Sequence, residues 1–512
     1  MSEQIRGSKV LITVTVMCAA LMAVLDISIV NVALTDIRAS FGTPLDQIAW
    51  VSTGYMMANI VVIPMTGWLQ RRFGFRRYFA ISILMFTAAS TLCGLAWNLP
   101  SLVVFRVFQG LGGGAIIPTS QAILFARYPR EEHGMAGAMF GLGAVTGPLL
   151  GPTLGGYLID QFSWHWIFLI NVPVGLLAAF LAYRSIEEPG FKPSREPIDF
   201  WGIALLAVGM ATLQYVLEEG NRDGWTDSRL IVVLGTISVI ALVTFVVHEL
   251  EHEHPVVDLR VFKNVSYTAA TGINFLTGTA LFSSSFLFSL YAGTVMHYSA
   301  LDIGLLFLKG SCIQLLVFPL VGRFNGKLDQ RLMIGFGVLM MCVSLWFNAH
   351  LNTQADTFAM TVPIFIRSLG LGFIFVPLSV VALSNLPPTQ RGNAAGLFNL
   401  TRELGGSIGT ALMSFQLDRS TKMYASYLGE KVNAWDSNTL DALGAMRGAF
   451  SGMYDPMGTA YTALSGRITV QALVRAFNDG FMQLVFVFFL GIGLVFLIKK
   501  AQPGAPAPAG AH

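Results

Sequence analysis

Apolar residues along this chain fall into long runs that are separated by short polar segments. The runs lie near residues 10–34, 48–69, 78–97, 101–125, 135–160, 165–184, 200–218, 229–248, 266–294, 302–323, 331–350, 358–385, 391–416 and 479–498. A helix rises about 1.5 Å per residue, so about 20 residues cross the roughly 30 Å hydrocarbon core of a bilayer. The pattern therefore predicts an all-α polytopic membrane protein with fourteen transmembrane helices.

The composition supports this class, because 54% of the 512 residues are hydrophobic, only 12% are charged and the mean hydropathy is +0.63. The net charge of +3 is too small to favour nucleic-acid binding. The four cysteines lie in apolar runs without paired spacing, so neither a disulfide framework nor a zinc knuckle is expected.

The positions of the basic residues predict the orientation of the chain. An even number of spans puts both termini on one side of the membrane, and the segments on that side contain nineteen Lys and Arg residues. The short loops on the other side contain three, which are Arg38, Arg222 and Arg229. Because basic loops are retained in the cytoplasm, both termini are predicted to be cytoplasmic.

The chain also resembles itself at a distance of roughly 255–260 residues, for example in AGAMF and AGLFN, which begin at Ala136 and Ala395. Repeated halves are typical of transporters with a central site. We therefore predict an N-terminal six-helix bundle, an inserted helix pair with linkers, a C-terminal six-helix bundle and a disordered tail. These parts are residues 1–184, 185–265, 266–498 and 499–512. Within the third part, the outer loop 417–478 fits either a partly helical surface domain or a solvated mobile loop.

One carboxylate, Asp26, interrupts the first apolar run in the stretch MAVLDISIVNVAL. A charge at that depth costs at least about 2.5 to 3.5 kcal/mol on insertion scales, so it usually faces a wet cavity or a partner. Arg106 in the fourth run has a similar predicted depth, so the two side chains could meet or share one cavity. Such a pair can couple proton transfer to motion, because the balance between a nearby guanidinium and desolvation decides whether a carboxyl is protonated. A permanent structural ion pair is the alternative.

Further charged residues lie inside the predicted spans. Glu403 is a secondary candidate for a proton site, with an interhelical salt bridge as the alternative, and Arg402 is expected to point about 100° away from it. Polar or charged candidates for a cavity are Asn31, Gln109, Asn274, Arg367 and Arg402.

Glycine patterns mark two places where helices are expected to approach closely. The turn between the second and third spans reads GWLQRRFGFRR, whose glycines permit close packing and whose arginines can bind helix carbonyls or facing carboxylates. Its candidate residues are Gly67, Arg71, Arg72, Gly74, Arg76 and Arg77. The fifth span contains GPLLGPTLGGYLID, which places Gly147, Gly151 and Gly155 on one stripe and adds prolines that bend the helix.

One motif suggests a different class of protein. HELEH fits the H-E-x-x-H pattern of zinc peptidases, with His248 and His252 one helical turn apart and Glu249 as base. It lies in an alternating acidic and histidine tract at a membrane exit, without an obvious third ligand. An intramembrane zinc metalloprotease is therefore a remote alternative.

Several stretches taken together resemble the signature motifs of one family. They are LDISIVNVAL, GWLQRRFGFRR, RVFQG, GPLLGPTLGG, WHWIFLINVPVG, PVVDLRVFKN and RGNAAGLFNLTRELGGSIGTA. The chain resembles the fourteen-span drug/proton antiporters of the major facilitator superfamily, and within them the EmrB-type multidrug exporters. The resemblance implies the major facilitator fold, with a cavity lined by spans 1, 4, 9 and 12.

The resemblance also implies roles for individual residues. Asp26 and Arg106 would couple proton movement to export of hydrophobic or cationic drugs, driven by the proton gradient without a cofactor. The motif associated with antiport would comprise Gly147, Gly151, Pro152, Gly155 and Gly156. The turn from Gly67 to Arg77 would act as a gate, although Arg71 replaces the family's usual acid there, so its charge relay does not carry over intact.

EmrB-type pumps need a periplasmic adaptor (membrane fusion protein) and an outer-membrane channel. The resemblance therefore implies these partners, a lipid environment in the inner membrane of a Gram-negative bacterium, and an adaptor contact at 417–478. An exporter of one specific metabolite, lipid or siderophore would share every motif, so that alternative stays open.

Overall fold

The computed structural model describes residues 8–498 except 190, 195–196, 385, 388–389, 431 and 433–436. The predicted tail 499–512 lies outside the described residues. The described part is built from helices joined by short loops, so the prediction of an all-α protein is confirmed.

The N-terminal half consists of α1 Lys9–Phe41, α2 Trp50–Phe73, α3 Phe75–Gly94, α4 Leu99–Arg127, α5 His133–Gln161 and α6 Trp166–Ser185. The inserted pair consists of α7 Phe200–Glu219 and α8 Arg229–Glu251. The C-terminal half consists of α9 Val265–Thr294, α10 Leu301–Phe324, α11 Gln330–Asn348, α12 Thr357–Ser384, α13 Arg391–Glu430, α14 Ser437–Ala449 and α15 Pro456–Val495.

Several helices begin where a short polar side chain precedes an apolar run. Asn98 and Ser101 form a reciprocal capping box at the start of α4. Asp199 accepts a hydrogen bond from the backbone N–H of Gly202 at 2.8 Å in α7, and Asn264 accepts two backbone hydrogen bonds at the start of α9. Such caps satisfy N–H groups that lack partners within the helix, so they define where these helices start.

Within the described residues, eleven helices are long and apolar enough to cross a membrane. The other long helices are α2, α5 and α13. All three pack between other long helices of the two halves. The arrangement is consistent with fourteen spans, but the exact count stays a prediction.

The two halves pack their helices in the same way. In the N-terminal half α1 packs on α5, α2 on α4, and α3 on both α4 and α6. In the C-terminal half α9 packs on α13, α10 on α12, and α11 on both α12 and α15. The halves meet where α2 packs on α13 and where α5 packs on α10, so the repeat seen in the sequence is also a repeat in space.

We call the side where α1 begins the terminal face and the opposite side the distal face. The loop between α4 and α5 belongs to the terminal face, because the Tyr128 hydroxyl lies 2.9 Å from the Thr13 hydroxyl of α1. The turn between α2 and α3 lies there too, since Arg72 donates to the carbonyl of Ser194 in the linker before α7 at 3.0 Å.

The halves are closed against each other near the terminal face. A Cβ on Gly67 of α2 would lie 2.5 Å from the backbone of Asn393 in α13, and one on Gly134 of α5 would lie 2.7 Å from Asn325. Deeper in the molecule, Asn399 of α13 donates to Gln121 of α4 at 2.7 Å. Two close contacts at glycines and a buried hydrogen bond between two side-chain amides therefore seal this end.

The predicted outer loop 417–478 is largely helical. Residues 417–430 continue α13, α14 follows, and α15 begins at Pro456, well before the predicted start of the last span at 479. The helices α13 and α15 have 40 residues each, or about 60 Å of length, which is twice the thickness of a bilayer core. They pack on each other, and α14 packs on α15 at the distal face.

Candidate functional site

Asp26 lies at the centre of a polar cluster inside the N-terminal half. Its Oδ2 is 2.6 Å from Nη1 of Arg106, and its Oδ1 accepts hydrogen bonds from Gln109 at 2.8 Å and Asn171 at 2.9 Å. Asp26 and Arg106 are each only 1% exposed. The sequence-based expectation that the two could meet agrees with this geometry, and the cluster joins α1, α4 and α6.

Three neighbouring groups hold Arg106 in place. Its Nε donates to the carbonyl of Val51 at 3.0 Å, its Nη1 also donates to Gln109 at 2.8 Å, and its guanidinium lies 4.2 Å from the ring centre of Tyr55. Tyr55 can approach because Gly113 of α4 leaves room for its hydroxyl. The guanidinium is therefore fixed by α2 as well as by the carboxylate.

The C-terminal half contains a related contact without a carboxylate. Arg367 of α12 donates to Ser285 at 3.0 Å and to Ser284 at 3.3 Å, both on α9. By the repeat, α12 and α9 correspond to α4 and α1, so both halves direct an arginine at the same neighbouring helix. Only the N-terminal half gives that arginine an acid within the described residues.

A cavity of about 840 Å³ lies on the distal side of the sealed end, between α2, α7, α9 and α13. Asn221 and Arg222 of the loop between α7 and α8 form part of its rim. Its wall mixes apolar side chains with charged ones, which are Glu218, Glu219, Arg222 and Glu403. The expectation that spans 1, 4, 9 and 12 line the cavity fits only in part. Leu34 of α1 and two residues of α9 line it, but no described residue of α4 or α12 does, and the inserted helix α7 forms one wall.

Glu403 connects this cavity to a smaller one. The small cavity, of about 20 Å³, has room for about one water and is lined by α1, α2, α4 and α13. Glu403 and Met56 line both cavities. Arg402 was expected to point away from Glu403, yet its Nη2 lies 2.9 Å from Glu403 Oε1. The angle between neighbouring positions on a helix describes where side chains start, and a side chain as long as arginine's can still reach its neighbour.

The glycines of the predicted antiport motif divide into two groups. A Cβ on Gly147 would lie 2.7 Å from Val24 of α1, and one on Gly151 would lie 2.5 Å from the Cβ of Ser28. Gly155 has only ordinary contact distances of 3.5 Å or more, and Gly156 has nothing within 4 Å. The side chain of Pro152 lies outside the described residues. The first two glycines therefore bring α5 against α1, directly beside Asp26.

The predicted gating turn contains a feature that sequence reasoning missed. Gly74 has a φ of +79°, which favours glycine, and Glu188 from the linker after α6 caps the helix that follows. The Glu188 carboxylate accepts from the backbone N–H groups of Phe75 at 2.8 Å and Arg76 at 2.9 Å. An acid therefore does lie at this turn, but it comes from a distant segment rather than from position 71.

The arginines of the turn have different surroundings. The Arg76 guanidinium lies 4.1 Å from the ring centre of Tyr183, and Arg72 binds the linker carbonyl of Ser194. The backbone carbonyl of Arg71 accepts from the N–H of Ser194 at 3.1 Å, whereas Arg77 is exposed. The turn is therefore tied to the linker that leads to the inserted pair.

The remaining cavity candidates are placed elsewhere. Asn274 is buried between α9 and α13, where it donates to the carbonyl of Phe398 at 2.6 Å. Arg367 and Gln109 are also absent from the walls of the two described cavities. The side chain of Asn31 lies outside the described residues. Of this group, only Arg402 lines a described cavity, the small one.

The HELEH tract forms structural contacts. His248 lies 2.9 Å from the carboxylate of Asp199, which caps α7, and the buried Glu249 accepts from the N–H of Val257 at 3.1 Å. His252 stacks on His248 with ring centres 5.0 Å apart. In the part of the chain that the structure describes, these groups do not form a cluster of three or more metal-ligand residues.

Comparison with known proteins extends over nearly the whole chain. A model of the Major Facilitator Superfamily matches residues 16–410. The chain is 33% identical to the multidrug export protein EmrB of Haemophilus influenzae, over 97% of this chain and 96% of that protein. It is 31% identical to the fatty acid resistance protein FarB of Neisseria gonorrhoeae, over 95% and 96% of the two chains.

Solved structures agree with this at the level of fold. The human organic anion transporter MFSD10 superposes with a TM-score of 0.62 at 12% identity, covering 96% of this chain and all of that one. At this low identity the likeness concerns the arrangement of helices alone.

Proposed function

Because the chain belongs to the major facilitator superfamily and is a multi-pass membrane transporter of small molecules rather than an enzyme, we propose that it is a proton-coupled multidrug exporter. Hydrophobic or cationic compounds leave by alternating access while protons enter through Asp26. The membership also sets aside the zinc metalloprotease alternative suggested by HELEH.

The observation that carries the proposal is the sealed ion pair of Asp26 and Arg106. In this conformation Asp26 lines neither of the two described cavities and is bound by three side chains. Proton exchange at Asp26 therefore requires that these bonds open. A movement of α1 and α5 against α4 and α6 would open them, and that requirement would couple protonation to motion.

The direction of transport rests on the basic residues. If the terminal face is cytoplasmic, as the excess of Lys and Arg predicts, the sealed end faces the cytoplasm and the large cavity opens outward. This conformation is then the one that releases a compound, and a proton from outside reaches Asp26 once the bonds of its carboxylate open. The resemblance of GPLLGPTLGG to the antiport motif supports exchange rather than symport.

The setting and partners follow from similarity to EmrB. We propose the inner membrane of a Gram-negative bacterium, with both termini in the cytoplasm and the distal helices in the periplasm. A periplasmic adaptor and an outer-membrane channel would complete the pump, and α14 with the extended ends of α13 and α15 is the surface offered to the adaptor.

A second candidate is export of one particular lipid or metabolite. The similarity to a fatty acid resistance protein favours keeping it. Both candidates use the same proton site, so they differ only in how many compounds compete for the cavity.

The test uses everted membrane vesicles with an acid interior, to which a cationic dye is added. Wild-type protein is expected to take up dye and release protons together. The Asp26→Asn variant, expressed to the same level, is expected to do neither, because its amide cannot carry a proton at this pH.

The matched control is Asp418→Asn, which removes a carboxylate from the exposed part of α13. It should exchange as the wild type does. If Asp26→Asn exchanges normally, Asp26 has a structural role, Glu403 becomes the next candidate, and the proposed mechanism is wrong. Competition by a panel of unrelated compounds separates a multidrug exporter from a single-substrate carrier.

A further inference from the structure

The large cavity contains one carboxylate whose charge is not balanced by a neighbour. Glu219 lies 2.7 Å from Nη1 of Arg222, and Glu403 is paired with Arg402. Glu218 instead accepts a hydrogen bond from the neutral side chain of Gln214 at 2.8 Å. Among the described residues no Lys, Arg or His forms an ion pair with Glu218, so it gives the cavity a net negative site.

A second observation points into the same cavity from the same helix. Gln214 is only 3% exposed, and its Oε1 has no hydrogen-bond partner among the described residues. A buried acceptor without a partner is costly, so such atoms commonly mark a place where a ligand or water binds. Gln214 and Glu218 are one helical turn apart on α7, so both face the cavity.

The walls formed by α9 and α2 offer apolar and aromatic surface. Phe282 and Phe286 of α9 are also one turn apart and line the cavity together with Met56 of α2. Aromatic faces attract organic cations, and methionine adapts to ligands of different shape. The volume of about 840 Å³ suits a drug-sized molecule.

We infer that Glu218 on the inserted helix α7 is the residue that selects organic cations in this cavity, with Gln214 accepting a hydrogen bond from ligands that have one to donate. The inserted pair therefore belongs to the binding site and is more than a spacer between the halves. This inference rests on the proposed function for its biological meaning, but binding can be measured without transport.

The first experiment measures equilibrium binding of tetraphenylphosphonium to the purified full chain. This cation has no hydrogen-bond donor, so it reports charge and apolar contact alone. Glu218→Gln should weaken binding severalfold, because it removes the attraction of the carboxylate for the cation, which solvent around this exposed side chain screens only in part. Glu218→Asp should retain most of the affinity, since it keeps the charge.

The controls separate charge from folding. Asp418→Asn removes one negative charge away from the cavity and should bind tetraphenylphosphonium like the wild type. Triphenylmethanol, an uncharged compound of similar shape, should bind wild type and Glu218→Gln equally. Equal tetraphenylphosphonium affinity in wild type and Glu218→Gln overturns the inference, and so does a wild-type chain that binds no tetraphenylphosphonium.

Failure of the proposed function gives a different result. If binding depends on Glu218 but vesicles show no proton exchange, the cation site stands and proton antiport is wrong. If vesicles exchange protons for an uncharged compound and Glu218→Gln does not alter cation binding, antiport stands and the cation site is wrong.

Discussion

Nη1 of Arg106 lies 2.6 Å from Oδ2 of Asp26, in a place where neither side chain is more than 1% exposed. Breaking a buried pair by removing one partner typically costs about 3–5 kcal/mol, because the other charge stays buried without its partner. We expect Asp26→Asn and Arg106→Gln each to lower the unfolding temperature of the purified protein. The double variant, Asp26→Asn with Arg106→Gln, should lower the unfolding temperature by much less than the sum of the two single effects, since neither charge is then left buried without its partner.

An exposed ion pair provides the control for this double-mutant cycle. Asp418 and Lys422 are separated by one helical turn on the exposed part of α13, and Nζ of Lys422 lies 2.6 Å from Oδ2 of Asp418. Exposed pairs of this kind contribute about 0.3–0.5 kcal/mol. Their cycle should therefore be nearly additive, and additivity at Asp26 and Arg106 as well would contradict the role given to burial.

The seal between α2 and α13 predicts the effect of one methyl group. In Gly67→Ala the new Cβ would lie 2.5 Å from the backbone of Asn393, so the two helices must separate. Val376, which is 0% exposed and lies at the contact of α12 with Gly137, should then become accessible. In a chain without its native cysteines, Val376→Cys should react with a maleimide several-fold faster when Gly67→Ala is present.

The control is Gly235→Ala in α8, where a Cβ meets nothing within 4 Å. It should leave the labelling rate unchanged. An unchanged rate in Gly67→Ala would mean that the terminal face is closed by contacts other than this one.

The antiport motif should respond unevenly to alanine. Gly147→Ala and Gly151→Ala would push α5 away from α1 beside Asp26, so we expect them to abolish coupled exchange in vesicles. In Gly155→Ala the new Cβ has only ordinary contacts of 3.5 Å or more, and in Gly156→Ala it meets nothing within 4 Å. Because alanine also favours the helix, exchange and stability should stay near wild type. Equal loss in all four variants would refute the packing explanation.

Glu188 should stabilise the turn between α2 and α3 through the start of α3. Replacing it by Ala removes two hydrogen bonds to backbone N–H groups and a negative charge at a helix N-terminus. Loss of such a cap typically costs about 0.5–2 kcal/mol, and thermal unfolding of the purified protein would report it. The adjacent and exposed Glu187 provides the comparison, because Glu187→Ala should change the unfolding temperature little.

The sequence indicated that Asp26 and Arg106 could meet or share a cavity, because both charges interrupt apolar runs at similar depth. The sequence could not predict that Glu188 caps α3. This residue belongs to an ordinary polar linker and is 113 positions from Phe75, whose backbone N–H donates to it. The helical character of 417–430 was underestimated because helices outside the membrane need no apolar run. The cavity wall formed by Glu218 depends on where α7 packs, and periodicity along one helix does not specify its neighbours.

The continuous helix α13 joins two environments. It starts at the seal with Gly67, passes the cavity at Glu403 and continues through residue 430 beyond the predicted membrane span. A rigid rod of this kind acts as a lever, because a tilt at its inner end displaces its outer end in proportion to its length. Every rocking step of the C-terminal half would then move the outer end of α13 sideways, and the adaptor that we propose for this surface would sense the transport cycle mechanically.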